Sequence, residues 1–437
     1  NTRETFRPAL LALGDSAFQQ RDWFRAETIL GDYLSFGLEL PSADDGLMKL
    51  GIAMHRQDNL EAALREYDRL LEQFGSSAHR QQALFERGQA LVALGRNDDA
   101  AESFARALDA GSDSLFAGHA LNHLGAIAMK DDDYVNAAAY FERAAQTDAD
   151  PGLRAASLHQ QGEALMAARS YGPAATVFAR LVQEHPAAAQ VREATALEAI
   201  ATARAGNHGS ALGRIEQAEA SVGASIDDTL AATLAYEKAW CLRELGRPQD
   251  AEAAYVAVIA RPGDGQLGLH AELELAELKM KANRYEDAAE LLTRLQQRIA
   301  VTADVPEAVT TQTVYHLGLC QYRLKNHREA IAALESFIER NPLDERVPSA
   351  SLLCGDSVFH GPCGSTIHFL SDIQCQGLRL FSLGLVLGSP FDGLLGVDDF
   401  LLKCLSTASQ LVTRLGVLRL LLPGLRKQSF GFGLPLF

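Results

Sequence analysis

The chain has 437 residues, of which 47% are hydrophobic and 22% are charged, and only 14 are proline. This composition excludes an intrinsically disordered or collagen-like chain, and the length allows several domains or one long array of repeats. The formal net charge of −16 argues against general attraction to nucleic acid or to an anionic membrane, since both need clustered Lys and Arg.

A small residue recurs along the chain within an apolar segment and marks a repeating unit. We call these positions anchors. They are Gly14, Gly51, Gly88, Gly125, Gly162, Ala199, Ala239, Ala276, Gly318 and Gly355. Most successive anchors are 37 residues apart, and two steps are longer, at 40 and 42 residues. A fixed period of this length is typical of a solenoid of repeated helical units.

Two further positions keep register with the anchor. Ala stands twelve residues after each of the first nine anchors, and a large apolar residue follows four residues later. The alanines are Ala26, Ala63, Ala100, Ala137, Ala174, Ala211, Ala251, Ala288 and Ala330. The large residues are Leu30, Tyr67, Phe104, Phe141, Phe178, Ile215, Tyr255, Leu292 and Leu334. This pattern predicts two antiparallel helices that cross closely at the small residues, with the large residue filling the space between neighbouring units.

Polar and helix-breaking residues separate the predicted helices. Residues 57–59, 95–98 and 131–133 lie between an anchor and its alanine and predict short turns. Residues 74–77 and 110–113 close their units in the same way. Each unit therefore contains one helix, a turn, a second helix and a join.

At this point the sequence resembles the tetratricopeptide repeat family over residues 6–359. The second unit shows the resemblance in Leu50, Gly51, Met54, Ala63 and Tyr67. Other units show it in Arg87, Gly88, Leu91, Ala100, Phe104, Ala107, Leu124, Gly125, Ala128, Ala137, Phe141, Ala144, Leu317, Gly318 and Ala330, with closing prolines at Pro186 and Pro342. The resemblance implies an all-α fold, a right-handed superhelical solenoid of antiparallel helix pairs, over residues 1–359. We expect nine units and the first helix of a tenth.

The unit departs from the usual length of about 34 residues. The extra residues fall at the joins, because the stretch from the anchor through both helices aligns without gaps. Such lengthened units are similar to those of bacterial envelope-associated tetratricopeptide proteins. We therefore expect a bacterial protein, and the periplasm or cell envelope is slightly favoured over the cytoplasm.

The resemblance also implies a concave groove lined by the first helix of each unit. Its ligand-facing positions predict partner-binding residues at Arg56, Asn122, Lys130, Arg204, Tyr236, Trp240, Lys281, Tyr315, Tyr322 and Arg323. Five of these, which we call the basic ladder, stand five residues after their anchors: Arg56, Lys130, Arg204, Lys281 and Arg323. The basic ladder predicts an acidic or extended peptide partner, with Tyr and Trp supplying flat contact surfaces. The alternative is that these cations only stabilise helix ends through the helix dipole.

Other candidate sites are weaker. His119 and His123, four residues apart, are interpreted as surface histidines without a third metal ligand nearby. Cys241 and Cys320 stand where a small apolar group is expected and are interpreted as packing residues. Residues 131–133 predict a polar turn that caps the next helix rather than a calcium loop. We predict no metal site, no cofactor, no catalytic residues and no membrane span.

The pattern changes after the tenth anchor. Residues 351–437 contain no Glu and one Ala, but 22 Leu and 12 Gly. Residues 360–437 are either a second, irregular domain or an antisense or misassembled continuation, because codons for Glu and Ala read on the opposite strand give Leu, Phe and Gly. Cys354, Cys363, His368 and Cys375 form a loose zinc-ligand set whose spacing matches no short zinc motif.

The predicted function is that of a non-catalytic protein-interaction scaffold in a bacterial envelope or secretion-type assembly. Its expected partner is a protein or peptide, not nucleic acid. The alternative is a recruitment or sensor region of a larger enzyme or signalling protein whose catalytic part lies elsewhere. The sequence makes no prediction of oligomeric state.

Overall fold

A computed structural model describes residues 2–111, 114–147, 150–222, 227–261 and 265–360. The chain divides into two units, residues 1–361 and residues 362–437, and only the first contains described residues. Within the described residues there are nineteen helices. The odd-numbered, or first, helices are α1 (Thr2–Gln19), α3 (Ala43–Arg56), α5 (Arg80–Ala93), α7 (Ser114–Lys130), α9 (Pro151–Ala167), α11 (Val191–Arg204), α13 (Asp228–Glu244), α15 (Gly265–Lys281), α17 (Glu307–Arg323) and α19 (Val347–His360). The even-numbered, or second, helices are α2 (Trp23–Leu34), α4 (Leu60–Gln73), α6 (Asn97–Ala110), α8 (Tyr134–Gln146), α10 (Tyr171–Glu184), α12 (His208–Val222), α14 (Pro248–Ile259), α16 (Tyr285–Ile299) and α18 (His327–Arg340).

The small and large positions of the repeat meet inside each helix pair. The ring of Phe104 on α6 covers the anchor Gly88 on α5, and a Cβ added at Gly88 would lie 2.6 Å from Phe104 Cε1. Gly51 and Tyr67 show the same arrangement in the preceding unit. Each of the nine alanines twelve residues after an anchor is fully buried. The first and second helices therefore cross at their closest where the side chains are smallest.

The large residue also reaches the next unit. The ring of Phe104 stacks on the imidazole of His123 on α7, with centroids 4.8 Å apart and planes at 3°. The expectation that this residue simply fills the space between units was incomplete, because it also covers the anchor glycine of its own unit. One ring thus closes the helix pair and forms part of the junction to the following pair.

The turn inside each unit has one backbone conformation throughout. The residue seven positions after the anchor has a positive φ in all nine units. These residues are Arg21, Asp58, Gly95, Asp132, Arg169, Gly206, Gly246, Asn283 and Lys325. In the fourth unit Asp133 follows and its carboxylate accepts a hydrogen bond from the backbone N–H of Asn136 at 3.3 Å, which confirms the predicted polar turn and cap.

The core is a chain of linked clusters. Each helix packs against the helices before and after it, and first helices of successive units also contact one another, as α1 does α3, α11 does α13 and α15 does α17. Buried apolar residues form successive clusters along the array, each shared by neighbouring units. The described residues therefore form an α-α solenoid, and the predicted all-α fold class is confirmed.

Two sequence-based predictions fall wholly or partly on residues that the structure does not describe. Cys363, His368 and Cys375, with the two interpretations of residues 360–437, lie outside the described residues apart from His360. Cys354, the remaining member of the loose zinc set, is buried in α19. Among the residues that the structure describes, no helix is long and apolar enough to cross a membrane.

Candidate protein-binding groove

The first helices form the face that was predicted to line the groove, and we call this face the wall. Besides the packing of each second helix on the next first helix, most pairs of successive first helices contact one another directly, whereas no pair of successive second helices among the described residues does so to a comparable extent. The first helices therefore form the more closely spaced face of the array. Each first helix is fourteen to eighteen residues long, as in α3 and α1. The wall is therefore a row of parallel helices whose carboxyl-terminal ends lie along one edge.

The basic ladder lies on that edge rather than along the middle of the wall. Each of its five members is the last residue of a first helix, ending α3, α7, α11, α15 and α17 in turn. All five are exposed. A cation at a helix carboxyl terminus interacts favourably with the helix dipole, so each of these residues also stabilises its own helix.

One member of the ladder is held by an ion pair. The Arg204 guanidinium donates from Nε to Oε1 of Glu237 at 2.6 Å, joining α11 to α13. Glu237 is only 3% exposed. Burial raises the pKa of Glu237 above its usual value, and the charge of Arg204 and its hydrogen bond partly oppose that rise. Arg204 therefore neutralises a buried carboxylate between two units.

The other cations are less engaged. Within the described residues, Arg56, Lys130 and Lys281 have no carboxylate within ion-pair distance. Arg323 lies over the ring of Tyr285, 6.0 Å from its centroid. Charge on three separate helix ends is thus left facing solvent.

The predicted aromatic residues are partly buried and each has a packing partner. Tyr236 meets the ring of Tyr255 edge to face at 6.0 Å, and Trp240 meets the ring of His208 in the same way at 4.9 Å. Burial raises the pKa of Tyr236, to which the charge of Glu237 also contributes. These rings are anchored to the second helices, so the edges and faces that remain exposed are held in fixed positions.

Tyr315 and Tyr322 belong to the last complete unit. Tyr315 packs on Phe337 with centroids 5.1 Å apart, and the guanidinium of Arg346 lies 5.1 Å from the Tyr315 centroid. Tyr322 donates a hydrogen bond to Oδ2 of Asp356 at 2.7 Å, which joins α17 to α19. That hydrogen bond raises the pKa of Tyr322. Asn122 has a comparable role, since its Oδ1 accepts from Ser157 Oγ at 3.0 Å between α7 and α9.

Polar bridges between successive first helices were not predicted. Lys49 bonds Asp15 at 2.7 Å, His316 lies 3.2 Å from a carboxylate oxygen of Glu277, and Arg243 pairs with Glu274. The repeat offers a signal for them, because Lys49, Glu274 and His316 all stand two residues before their anchors. These pairs could have been found by searching the preceding unit for a residue whose charge is opposite to that of the residue two positions before the anchor.

The remaining histidine and cysteine candidates serve packing. His123 is partly buried between Phe85 and Phe104, and burial lowers its pKa, so its interpretation as a surface histidine was wrong. Cys241 and Cys320 are fully buried, which confirms them as packing residues. Burial raises the pKa of each of these thiols to about 12, so neither is a reactive thiolate at neutral pH.

Comparison with known families decides the class of the repeat. One tetratricopeptide repeat model matches residues 11–78, 85–153 and 196–265, and a second matches residues 312–344. Together the matches cover more than half of the chain. The chain belongs to the tetratricopeptide repeat family. Its repeats are of a kind that generally serves as a non-catalytic protein-interaction module.

Solved tetratricopeptide repeat proteins are similar to this chain at low identity. A protein from Parabacteroides merdae is 16% identical, with 63% of this chain and 99% of that chain covered, at a TM-score of 0.38. The carboxyl-terminal part of a repeat protein from Cytophaga hutchinsonii is 14% identical, with 59% and 97% covered, at 0.45. YrrB, described as having an unusual peptide-binding site, is 21% identical, with 46% and 95% covered, at 0.38. No curated protein matches this tetratricopeptide chain.

Proposed function

We propose that this chain is a non-catalytic scaffold that binds an extended, acidic segment of a partner protein along the inner wall of its solenoid. The observation that carries the proposal is the placement of Arg56, Lys130 and Lys281. All three end first helices on one edge of the wall, and none pairs with a carboxylate within the described residues. In a chain with a net charge of −16, three such cations on one edge favour acidic groups.

The spacing of the cations defines the expected ligand. Packed helices lie about 10 Å apart, so first helices two units apart are separated by about 20 Å. This distance exceeds the Debye length of about 8 Å at physiological ionic strength, so each cation acts separately. An extended chain advances about 3.3 Å per residue. We therefore expect acidic residues about six positions apart opposite Arg56 and Lys130, and about twelve positions apart opposite Lys130 and Lys281, whose helices are four units apart, rather than one compact acidic cluster.

The rings on the wall add contact area without large ordering cost. Tyr236, Trp240 and Tyr315 are held by edge-to-face or tilted packing against second-helix residues or neighbouring rings. Rigid aromatic side chains lose little conformational entropy on binding and are enriched in protein interfaces. Arg204 and Asn122 are proposed to support the wall rather than to contact the partner, because both already bridge adjacent first helices.

The setting proposed for this scaffold is a bacterial envelope or secretion-type assembly. Its support is the lengthened unit and the joins that resemble those of envelope-associated members of the family. PilW, a type IV pilus biogenesis factor, is among the solved proteins of the same fold. That likeness concerns fold alone.

The test compares two triple variants of the full chain with matched changes in charge. The first changes Arg56, Lys130 and Lys281 to Glu. The control changes Arg65, Arg143 and Arg294 to Glu, which are exposed residues on the second helices of the same three units. Arg204 is left intact, because Glu at that position would face the buried Glu237.

Binding is measured by fluorescence anisotropy with a labelled, unstructured peptide carrying Glu at every sixth position. Exposed ion pairs contribute about 0.2–1 kcal/mol each, so the groove variant should lose roughly tenfold or more in affinity. The control should bind like the wild type. Equal loss in both variants would mean that only net charge matters, and no loss in either would remove the basic ladder from the proposal.

A further inference from the structure

Three ligand-type side chains meet where α9 and α11 adjoin on the inner wall. His159 and Glu163 are one helical turn apart on α9, and Glu193 lies in the first turn of α11. One ring nitrogen and one oxygen of each carboxylate all lie within 4.8 Å of one another. Nδ1 of His159 is 3.4 Å from Glu163 Oε2, and Nε2 is 3.5 Å from Glu193 Oε2.

The imidazole is buried but one of its nitrogens is unsatisfied. His159 is 8% exposed and packs edge to face on Phe178 at 6.0 Å. Its Nε2 atom is shielded from solvent and has no hydrogen-bond partner within the described residues. A buried polar atom without a partner costs free energy, so a site of this kind favours a proton or a cation that fills the gap.

The separation of the groups fits a small metal ion. The 3.5 Å between Nε2 of His159 and Oε2 of Glu193 is long for a hydrogen bond, but it equals the spacing of two ligands around a tetrahedral ion with bonds of about 2.1 Å. Glu163 lies nearer Nδ1, at 3.4 Å, and has to turn towards Nε2 to become the third ligand. Imidazole nitrogen with carboxylate oxygen suits first-row divalent ions, whereas calcium and magnesium prefer oxygen ligands alone. Both carboxylates are about half exposed, at 47% and 53% of the side chain, so they can move inward to complete the set.

We propose that His159, Glu163 and Glu193 bind one divalent transition-metal ion between the fifth and sixth units. Nε2 of His159 and the two carboxylates are its protein ligands, and the remaining coordination positions face the groove. The ion would join α9 to α11 by coordination bonds. This proposal does not depend on the basic ladder or on an acidic partner, since it concerns a different part of the wall.

The sequence did not reveal this site because its third ligand comes from the next unit. His159 and Glu193 are 34 residues apart, and only the stacking of units brings them together. Other histidines of the wall pair differently. His316 faces Glu277, and within the described residues no other group of three such ligands converges.

The test is a titration of the full chain with cobalt(II) chloride in a buffer that does not bind metals, followed by visible absorption and calorimetry. We expect one ion per chain and weak ligand-field bands without the intense near-ultraviolet bands of cobalt thiolate. That spectral difference separates this site from any site formed by cysteine. Addition of zinc chloride should then displace the cobalt.

Variants assign the ligands. His159→Ala and Glu193→Gln should each weaken cobalt binding by more than about tenfold, the loss that removal of even an outer-shell partner produces. Glu163→Gln should also weaken it. The matched control is His316→Ala, which removes a histidine that faces one carboxylate between units and should leave the affinity unchanged. Circular dichroism of each variant checks that the helices are retained.

Two results would overturn the proposal. One is the absence of saturable 1:1 binding by the wild type. His159 would then be a protonated side chain that pairs with the carboxylates of Glu163 and Glu193. The other is undiminished binding by a folded His159→Ala or Glu193→Gln variant. Loss of metal binding would leave peptide binding by the basic ladder intact, so the two proposals fail separately.

Discussion

At the scale of single residues, stability depends on glycines that have no room for a side chain. Gly88 is covered by Phe104, and an added Cβ would lie 2.6 Å from the ring. The ring cannot retreat, because Phe104 is fully buried and stacks on His123. We expect Gly88→Ala to reduce the free energy of unfolding by about 1–3 kcal/mol, the usual cost of overpacking. Urea denaturation followed by circular dichroism measures it.

Gly213 provides the control for that substitution. It lies within α12, and among the described residues nothing is within 4 Å of an added Cβ. Ala is favoured over Gly inside a helix by about 0.5–1 kcal/mol. Gly213→Ala should therefore stabilise the protein slightly. If both substitutions had the same sign, helix propensity rather than the close helix crossing would control the anchor position.

The ion pair of Arg204 and Glu237 gives a prediction that depends on pH. Burial raises the pKa of Glu237, and Arg204 opposes the rise. Without Arg204 the folded-state pKa of Glu237 would be higher still. The stability of the Arg204→Met variant would then be retained below the unfolded-state pKa of Glu237 and lost as the pH rises through its folded-state pKa. Arg204→Met should cost about 1–3 kcal/mol at pH 7, towards the lower end because the Arg204 side chain is 38% exposed. The cost should shrink at pH 4.

A second substitution shows whether the loss at pH 7 comes from the stranded carboxylate. Glu237→Gln removes the charge while keeping the volume, so the double variant Arg204→Met with Glu237→Gln should recover most of the lost stability. Thermal unfolding at pH 7 and pH 4 measures all three variants. A double variant as unstable as Arg204→Met alone would mean that Arg204 acts through its packing on Tyr171, whose ring centroid lies 6.0 Å away.

At the scale of the helix pair, the turn between first and second helices is strained in some units and relaxed in others. Arg169 has φ of 57°, whereas the equivalent residue of the next unit, Gly206, has φ of 84°. A left-handed backbone costs a residue with a side chain about 1–2 kcal/mol, and glycine avoids this cost. Glycine has more conformational freedom in the unfolded chain, which offsets part of this gain. We therefore expect Arg169→Gly to stabilise the protein by about 0.5–1 kcal/mol.

The reciprocal change is made in the adjacent turn. Gly206→Ala places a side chain on the left-handed backbone and should destabilise by about 1 kcal/mol. Neither substitution disturbs a close contact, because Arg169 is exposed and nothing among the described residues lies within 4 Å of an added Cβ at Gly206. Chemical denaturation of the two variants in parallel provides the measurement. Destabilisation by Arg169→Gly would show that the arginine side chain contributes more than its backbone costs.

The turn also shows what the sequence could and could not predict. Anchors, alanines and large residues share size, so their period predicted the helix pair and the family. The position seven residues after the anchor is held by Arg, Asp, Gly, Asn or Lys, which share no side-chain property. What they share is a backbone angle, and only glycine signals that angle in a sequence.

Contacts between units were less predictable than contacts within a unit. Gly88 and Phe104 are sixteen residues apart inside one repeated pattern, and that pattern fixes their meeting. Arg204 with Glu237, and His159 with Glu193, depend on the rotation and shift between neighbouring helix pairs, which no single unit specifies. For this reason Arg204 was predicted as a groove cation while its partner was not, and the cluster around His159 was missed.

At the scale of the whole solenoid, packing is confined to neighbours. Phe178 is fully buried with Leu158, Leu181 and Ala194 in a cluster that spans the fourth to sixth units. Its truncation to Ala should cost about 3–5 kcal/mol. Because the main helix contacts among the described residues lie within a unit or between adjacent units, the stability of such an array is approximately a sum of unit and junction contributions. The damage should therefore be local.

Hydrogen exchange followed by mass spectrometry tests this expectation on the full chain. In Phe178→Ala, amides of α8 to α11 should lose protection, while those of α1 to α4 and α15 to α18 should exchange as in the wild type. Phe24→Ala is the control, since Phe24 is 75% exposed on α2 and its removal leaves no cavity. Equal loss of protection in all of these helices would show that the array unfolds as one cooperative unit. The destabilisation would then pass from each unit to the next along the whole array.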